Sequence, residues 1–192
     1  RCGRRGGAAP GRRRGAVSRR AEALISAGMS GVEARRKADW FEQLDAALGA
    51  DGAAGERSRA YWIPGRIEFL GKHTDYAGGR SLLCAIERGI CLLAAPRNDN
   101  RLRVHDLRSG EVCVSPVDAV AGSTAGHWSS YPAVAARRIA RNFPGPLRGA
   151  DIFFASDLPP AAGMSSSSAL IVGGWLALNV VNELASLQEY RR

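Results

Sequence analysis

The sequence predicts an α+β domain, and three observations carry that prediction. Apolar residues recur at helical spacing near residue 40 and again in the last thirty residues. Several short extended runs, separated by turn signals, fill the region between them. One further strand-like segment, 150–156, stands alone between two helical stretches. The resulting order is helix, antiparallel strands, helix, strand, helix, the pattern of a sheet with helices segregated from it.

The first helix is predicted from Val32 to Leu48, with Trp40, Phe41, Leu44, Ala47 and Leu48 at helical spacing and Gly49 as a stop. Ser30 and Glu33 stand at capping-box spacing before it. Residues 49–58 read as a loop. Ala60 to Ile63 is extended and stops at Pro64; Ile67 to Leu70 resumes, and 82–86 is apolar. Ile90–Ala95 and Leu102–Leu107 flank Pro96-Arg97-Asn98-Asp99-Asn100, so they are expected to pair as a hairpin, with Glu111–Ser115 as a third strand. A loop at 121–126 precedes a helix opened at Pro132 and ended near Asn142 by Pro144. The strand 150–156 leads into a small-residue loop and an apolar helical run from Leu170 to Leu187.

A chain of 192 residues can bury one sizeable core. Its net charge of +9 is unevenly placed, because residues 1–20 hold eight arginines and no acid. The remainder is close to neutral. Residues 1–30, rich in Arg, Gly and Ala, are expected to be a disordered tail, with the folded domain spanning 31–192. An Arg-rich, acid-free leader suits a nucleic-acid arm or a targeting segment. The tail has no aromatic residues for stacking bases and no amphipathic period, so a solvated leader is favoured over both. No apolar run reaches membrane-spanning length, because Gly173, Gly174, Asn179 and Asn182 interrupt the longest. The four cysteines lack metal-binding spacing and the three histidines lie far apart, which argues against structural zinc. With no secretion signal, a reducing cytoplasmic setting is expected.

Residues 157–170, Asp-Leu-Pro-Pro-Ala-Ala-Gly-Met-Ser-Ser-Ser-Ser-Ala-Leu, carry the first chemical motif. A strand, a small-residue loop and a helix start aim backbone N–H groups and the positive end of a helix dipole at an anion. Gly163 allows close backbone approach, and the serine hydroxyls can reach a phosphate or its magnesium. Taken alone, a Ser-rich loop with a Ser cap accounts for the same residues.

The second motif is residues 62–80, Trp-Ile-Pro-Gly-Arg-Ile-Glu-Phe-Leu-Gly-Lys-His-Thr-Asp-Tyr-Ala-Gly-Gly-Arg. Lys72, His73, Thr74 and Asp75 put four polar side chains in succession, with Arg66 upstream. Such a turn suits a ligand with many hydroxyls, since each buried donor and acceptor needs a partner. An ordinary polar turn is the equal alternative.

With both motifs in hand, the chain resembles the GHMP kinases, within them the galactokinase branch. The first family motif is matched at Pro64, Gly65, Arg66, Leu70, Gly71, His73, Thr74, Asp75, Tyr76, Gly78 and Gly79, the second at Pro159, Ala162, Gly163, Ser165, Ser166, Ser167 and Ala169. Order and separation agree, over roughly residues 35–192. The resemblance implies the N-terminal domain of a two-domain α+β kinase, with a mixed, largely antiparallel sheet packed on helices. It implies ATP-dependent phosphorylation of a monosaccharide at its C1 hydroxyl. His73 and Asp75 would contact sugar hydroxyls, with Glu68 and Lys72 beside them, and Arg66 would lie next to the transferred phosphoryl group as the catalytic cation. Residues Ala162, Gly163, Met164, Ser165, Ser166 and Ser167 would cradle the ATP phosphates, and the Ser167 hydroxyl would help hold Mg²⁺. Expected partners are therefore a small sugar and ATP, with neither membrane nor nucleic acid.

The family's later aspartate, its third motif and its C-terminal domain are not in this sequence, so the chain is expected to be a fragment without turnover of its own. Galactokinases have Glu where this chain has Lys72, and Asn where it has Glu68. A lysine can pair with an anion where a glutamate would accept a hydroxyl proton, so a uronic acid or related sugar is an alternative substrate. Pairing of Lys72 with Glu68, or its solvation, is the plainer alternative. A non-catalytic sugar- and ATP-binding regulator also fits the two motifs.

Overall fold

The computed structural model describes residues 18–187 apart from 53–57, 72–73, 75–76, 121–125 and 160–162. The chain forms two compact units, Arg1–Ala38 and Asp39–Arg192. In the first, helix α1 (Arg19–Ser26) is capped by Ser18, whose Oγ accepts the Ala21 N–H at 3.3 Å. This corrects the expectation of disorder for that part of 1–30; residues 1–17 lie outside the described residues. Helix α2 (Gly31–Ala50) starts at the predicted cap, with Ser30 Oγ accepting the Glu33 N–H at 3.4 Å. Glu33 turns its carboxylate to Arg36 at 2.6 Å, one turn on.

The second unit is built on a five-stranded sheet in the order β1-β2-β5-β3-β4. Its strands are β1 (Arg59–Leu70), β2 (Leu82–Pro96), β3 (Arg101–Asp106), β4 (Val112–Pro116) and β5 (Ala150–Ser156). All neighbours run antiparallel except β3 and β5, which are parallel. The expected hairpin between β2 and β3 is therefore wrong, because β5 lies between them. Gly149 explains it. Its N–H donates to the Asp99 carbonyl at 2.6 Å and its own carbonyl accepts the Arg97 N–H at 3.0 Å, so the turn after β2 is held open around the start of β5. A Cβ on Gly149 would lie 1.9 Å from the Arg101 carbonyl oxygen. The remaining β3–β4 pairing is as predicted.

Helices α3 (Ser130–Asn142) and α4 (Ser166–Val181) cover one face of the sheet. Ile90, Leu92, Ala94, Leu102, Val104, Ile152 and Phe154 point there, against Ala136, Ile139, Ala169, Ala177 and Leu178. The alternate residues Cys91, Leu93, Ala95, Phe153 and Ala155 meet Phe41, Leu44 and Leu48 of α2 on the other face. Burial on both faces is why β5 reads as an unbroken apolar run.

Two strands are longer than expected. Pro64 does not end β1, because its missing N–H falls at an irregularity in the ladder, where the register shifts between Pro64 and Arg66. Likewise 82–86 and 90–95 form the single strand β2, which runs through the same irregularity. Helix α4, by contrast, begins earlier than expected and ends at Val181 rather than Leu187. The Asn182 amide donates to the Leu178 carbonyl at 2.9 Å and exchanges hydrogen bonds with the Arg148 backbone, stopping the last turn. A short 3₁₀ turn, Leu184–Ser186, follows.

Candidate functional site

The serine loop leaves the end of β5 and enters α4. Gly163 has φ +71° and is exposed, and Ser165 is left-handed at φ 62°, ψ 35°. From there the chain turns into the helix, whose first turn is Ser166-Ser167-Ser168. The first N–H groups of any helix lack partners within it. Here the N-cap Ser165 side chain makes no capping hydrogen bond, and no acidic residue stands in the first turn. Among the described residues, the first turn of α4 thus carries no acidic side chain to oppose its positive end. Ser165, Ser166 and Ser167 are half-buried, and Met164 packs against the larger core.

Arg66 sits beside this loop. Its N–H points at the Met164 carbonyl at 3.4 Å, and its side chain is exposed. The contact requires Gly65, where a Cβ would lie 2.4 Å from Leu158 Cδ2 and 3.0 Å from the Met164 carbonyl oxygen. Two residues 98 positions apart in sequence, Arg66 and Met164, are thereby brought into backbone contact. Glu68 follows two residues along β1, half-buried and opposite Leu83.

Lys72, His73 and Asp75, with Ala162, lie outside the described residues. Their frame is described. The Thr74 hydroxyl donates toward the carbonyls of Gly71 at 2.8 Å and Arg80 at 3.1 Å, and the Thr74 carbonyl accepts the Gly79 N–H at 2.8 Å. Ser81 Oγ also donates to the Gly71 carbonyl, at 3.0 Å. Thr74 is therefore the pin that closes the turn on itself. The sequence marked Thr74 as one of four polar residues in the motif but not as the residue that closes the turn.

Sequence reasoning missed Asp157. Its Oδ1 accepts the Gly89 N–H at 2.7 Å, while its own N–H points to the Gly89 carbonyl at 3.3 Å. The loop is so tied to β2 at one end and to β1 at the other. Among the described residues, no group of three or more His, Cys, Asp or Glu could hold a metal ion, and no helix is long and apolar enough to cross a membrane.

Comparison with known proteins follows the same two regions. Residues 54–96 match the galactokinase galactose-binding signature, and residues 130–190 match the GHMP kinases N terminal domain. A galactokinase of Chloroflexus aggregans is 35% identical over 127 residues, covering 66% of this chain and 32% of the relative. A galactokinase of Roseiflexus sp. is 38% identical over 128 residues, again 66% of this chain and 32% of the relative. Among solved structures, a galactokinase of Lactococcus lactis in complex with galactose superposes with a TM-score of 0.63 at 24% identity, covering 77% of this chain and 38% of that one. The chain spans about a third of the length of these curated relatives.

Proposed function

We propose that the chain is a galactokinase-like N-terminal domain of the GHMP kinase kind, which binds ATP and a monosaccharide for phosphoryl transfer to the C1 hydroxyl. The observation that supports this best is the backbone contact between Arg66 and Met164. It brings the backbone of Arg66, whose side chain is exposed, to the residue just ahead of the α4 N-cap, Ser165, whose side chain makes no capping bond. Both features favour a polyanion: the N–H groups of Ser166 and Ser167 as donors, Arg66 as a cation. The Gly163–Ser165 bend lets the backbone approach the phosphates closely.

The chain's own contribution is positioning and electrostatics. The helix start holds the phosphates, Arg66 draws negative charge as it develops on the transferred group, and His73 and Asp75 supply the groups that the family motif assigns to sugar hydroxyls. Magnesium, held with help from the Ser167 hydroxyl, supplies further charge neutralisation when bound. Galactose is the sugar the signature match favours. Lys72, in place of the family's acid, favours a sugar bearing a negative group as a second reading. ATP chemistry and reduced cysteines suit a cytoplasmic setting.

Titration of the chain with ATP, with and without Mg²⁺, tests the reading. Magnesium-dependent binding that weakens in Arg66→Ala is the expected outcome. No binding at millimolar ATP overturns it. Tighter binding of galacturonate than of galactose would select the second sugar.

A further inference from the structure

Resting on the nucleotide reading above, we infer that Asp157 and Gly65 act as a latch, positioning residues that set the serine loop against the strand carrying Arg66 without touching the nucleotide. The argument starts from an irregularity in the sheet. Pro64 pairs with Gly89, yet Arg66 pairs with Ala85, so Ile86, Glu87 and Arg88 on β2 stand opposite Gly65 alone. Such a bulge bends the strand and redirects what lies beside it. Both strands are pinched at this point. A Cβ on Gly89 would lie 2.3 Å from the Ile63 carbonyl oxygen and 2.9 Å from Pro64 Cα.

The loop is tied down across that pinch. Asp157 grips Gly89 reciprocally, at 2.7 Å through its carboxylate and 3.3 Å through its N–H. Ser156 Oγ accepts the Leu158 N–H at 3.1 Å, which fixes the next residue, and Leu158 is buried over Gly65. Beyond the loop, the Met164 carbonyl receives the Arg66 N–H. A carboxylate accepting a backbone N–H is a charge-assisted bond, stronger than a neutral one. Asp157 is therefore the anchor from which the loop is carried to Arg66, and Gly65 is the space into which it settles.

The latch controls a distance, between the helix start that would hold the inner phosphates and the guanidinium that would meet the terminal one. Losing it should reduce discrimination between ATP and ADP more than it reduces folding. Asp157→Ala is expected to weaken Mg–ATP binding about tenfold, the scale of one lost charge-assisted hydrogen bond, with little change for Mg–ADP. Asp157→Asn keeps an oxygen acceptor and should restore most of the preference. In the nucleotide-free chain, amide exchange across 163–169 should accelerate in Asp157→Ala while the β2–β5 ladder stays protected. If Asp157→Ala does not fold, Gly65→Ala tests the same device by pushing on Leu158 and Met164, and should also lower the ATP-over-ADP ratio. Wild-type preference in either folded variant, or unchanged exchange across 163–169 in Asp157→Ala, overturns the latch. Absence of nucleotide binding by the wild-type chain overturns the nucleotide reading instead, and the exchange measurement then still decides the latch.

Discussion

Asp151 offers the most exacting test of how this sheet is held together. It is the second residue of the central strand β5 and is only 4% exposed, yet it carries a carboxylate. Its Oδ1 accepts from Arg97 Nη1 at 2.8 Å and from Arg103 Nε at 2.6 Å. Arg97 also grips Asp99 with two nitrogens, at 2.7 and 2.6 Å, and Arg103 reaches Asp51. The Asp99 bonds, with help from Asp151, raise the pKa of Arg97; Asp151 leads in raising that of Arg103. Removing one partner of a buried ion pair costs about 3–5 kcal/mol. Here the orphaned arginines are 22% and 25% exposed and keep their second carboxylates, so Asp151→Ala should cost nearer 2–3 kcal/mol. Asp151→Asn keeps one neutral acceptor and should cost about 1–2 kcal/mol. Urea unfolding is the assay: at an ordinary slope the alanine variant should lose about 1 M in midpoint. Equal loss in both variants would refute the electrostatic account, and a loss under about 0.5 kcal/mol in the alanine variant would show the network to be idle. The cluster lies at the end of β5 away from the serine loop, so nucleotide affinity of the folded variants should be unchanged.

Two further outcomes follow from packing and burial. Leu178 is fully buried between α4 and the sheet, and Leu178→Ala should lower stability by about 2–5 kcal/mol with an unchanged urea slope. His105 stacks on Phe153 with ring centroids 4.0 Å apart, and its Nε2 is buried without a hydrogen-bond partner. Burial, reinforced by the Arg103 charge, pushes its pKa down, so the folded state binds fewer protons than the unfolded one. Its contribution is whole above the ordinary imidazole pKa of about 6.5 and declines as pH falls from there toward the folded value. Unfolding free energies at pH 7.5 and 5.5 should show that decline in the wild type and a shallower one in His105→Phe; equal slopes would contradict the assignment.

Most elements were legible because their signals are local. The cap at Ser30, the strand 150–156 and the helix ending at Asn142 each depend on residues within a turn or two of one another, although that helix opens at Ser130 rather than at Pro132. The strand order was not, because it depends on Gly149 entering a turn about fifty residues earlier in the chain. The run Ile152-Phe153-Phe154-Ala155 did hold the clue, since an unalternating apolar strand belongs in the middle of a sheet rather than beside a hairpin. In the candidate site, Arg66 and the serines were proposed from residue type, glycine spacing and family pattern, and the Arg66–Met164 contact sets their backbones together. Asp157 could not be named that way. An aspartate before Leu-Pro-Pro looks like any loop residue until Gly89 is placed beneath it.

The same strand order creates the problem that the bulge solves. Because β2 lies between β1 and β5, a loop leaving β5 must cross a whole strand before it can approach Arg66. Neighbouring strands lie about 4.8 Å apart, so the crossing covers roughly 10 Å, easily spanned by the seven residues between Asp157 and Arg66's acceptor Met164, counting Met164 itself. Length is therefore not limiting; height above the sheet is. Ordinary side chains on β1 and β2 at the crossing would lift the loop away from the strand. Gly65 removes one where Leu158 and Met164 lie, while Gly89 lets β1 and β2 close on each other beneath Asp157. The glycine of the first motif thus serves the second, and the two motifs, read as separate binding signatures in the sequence, are parts of one joint.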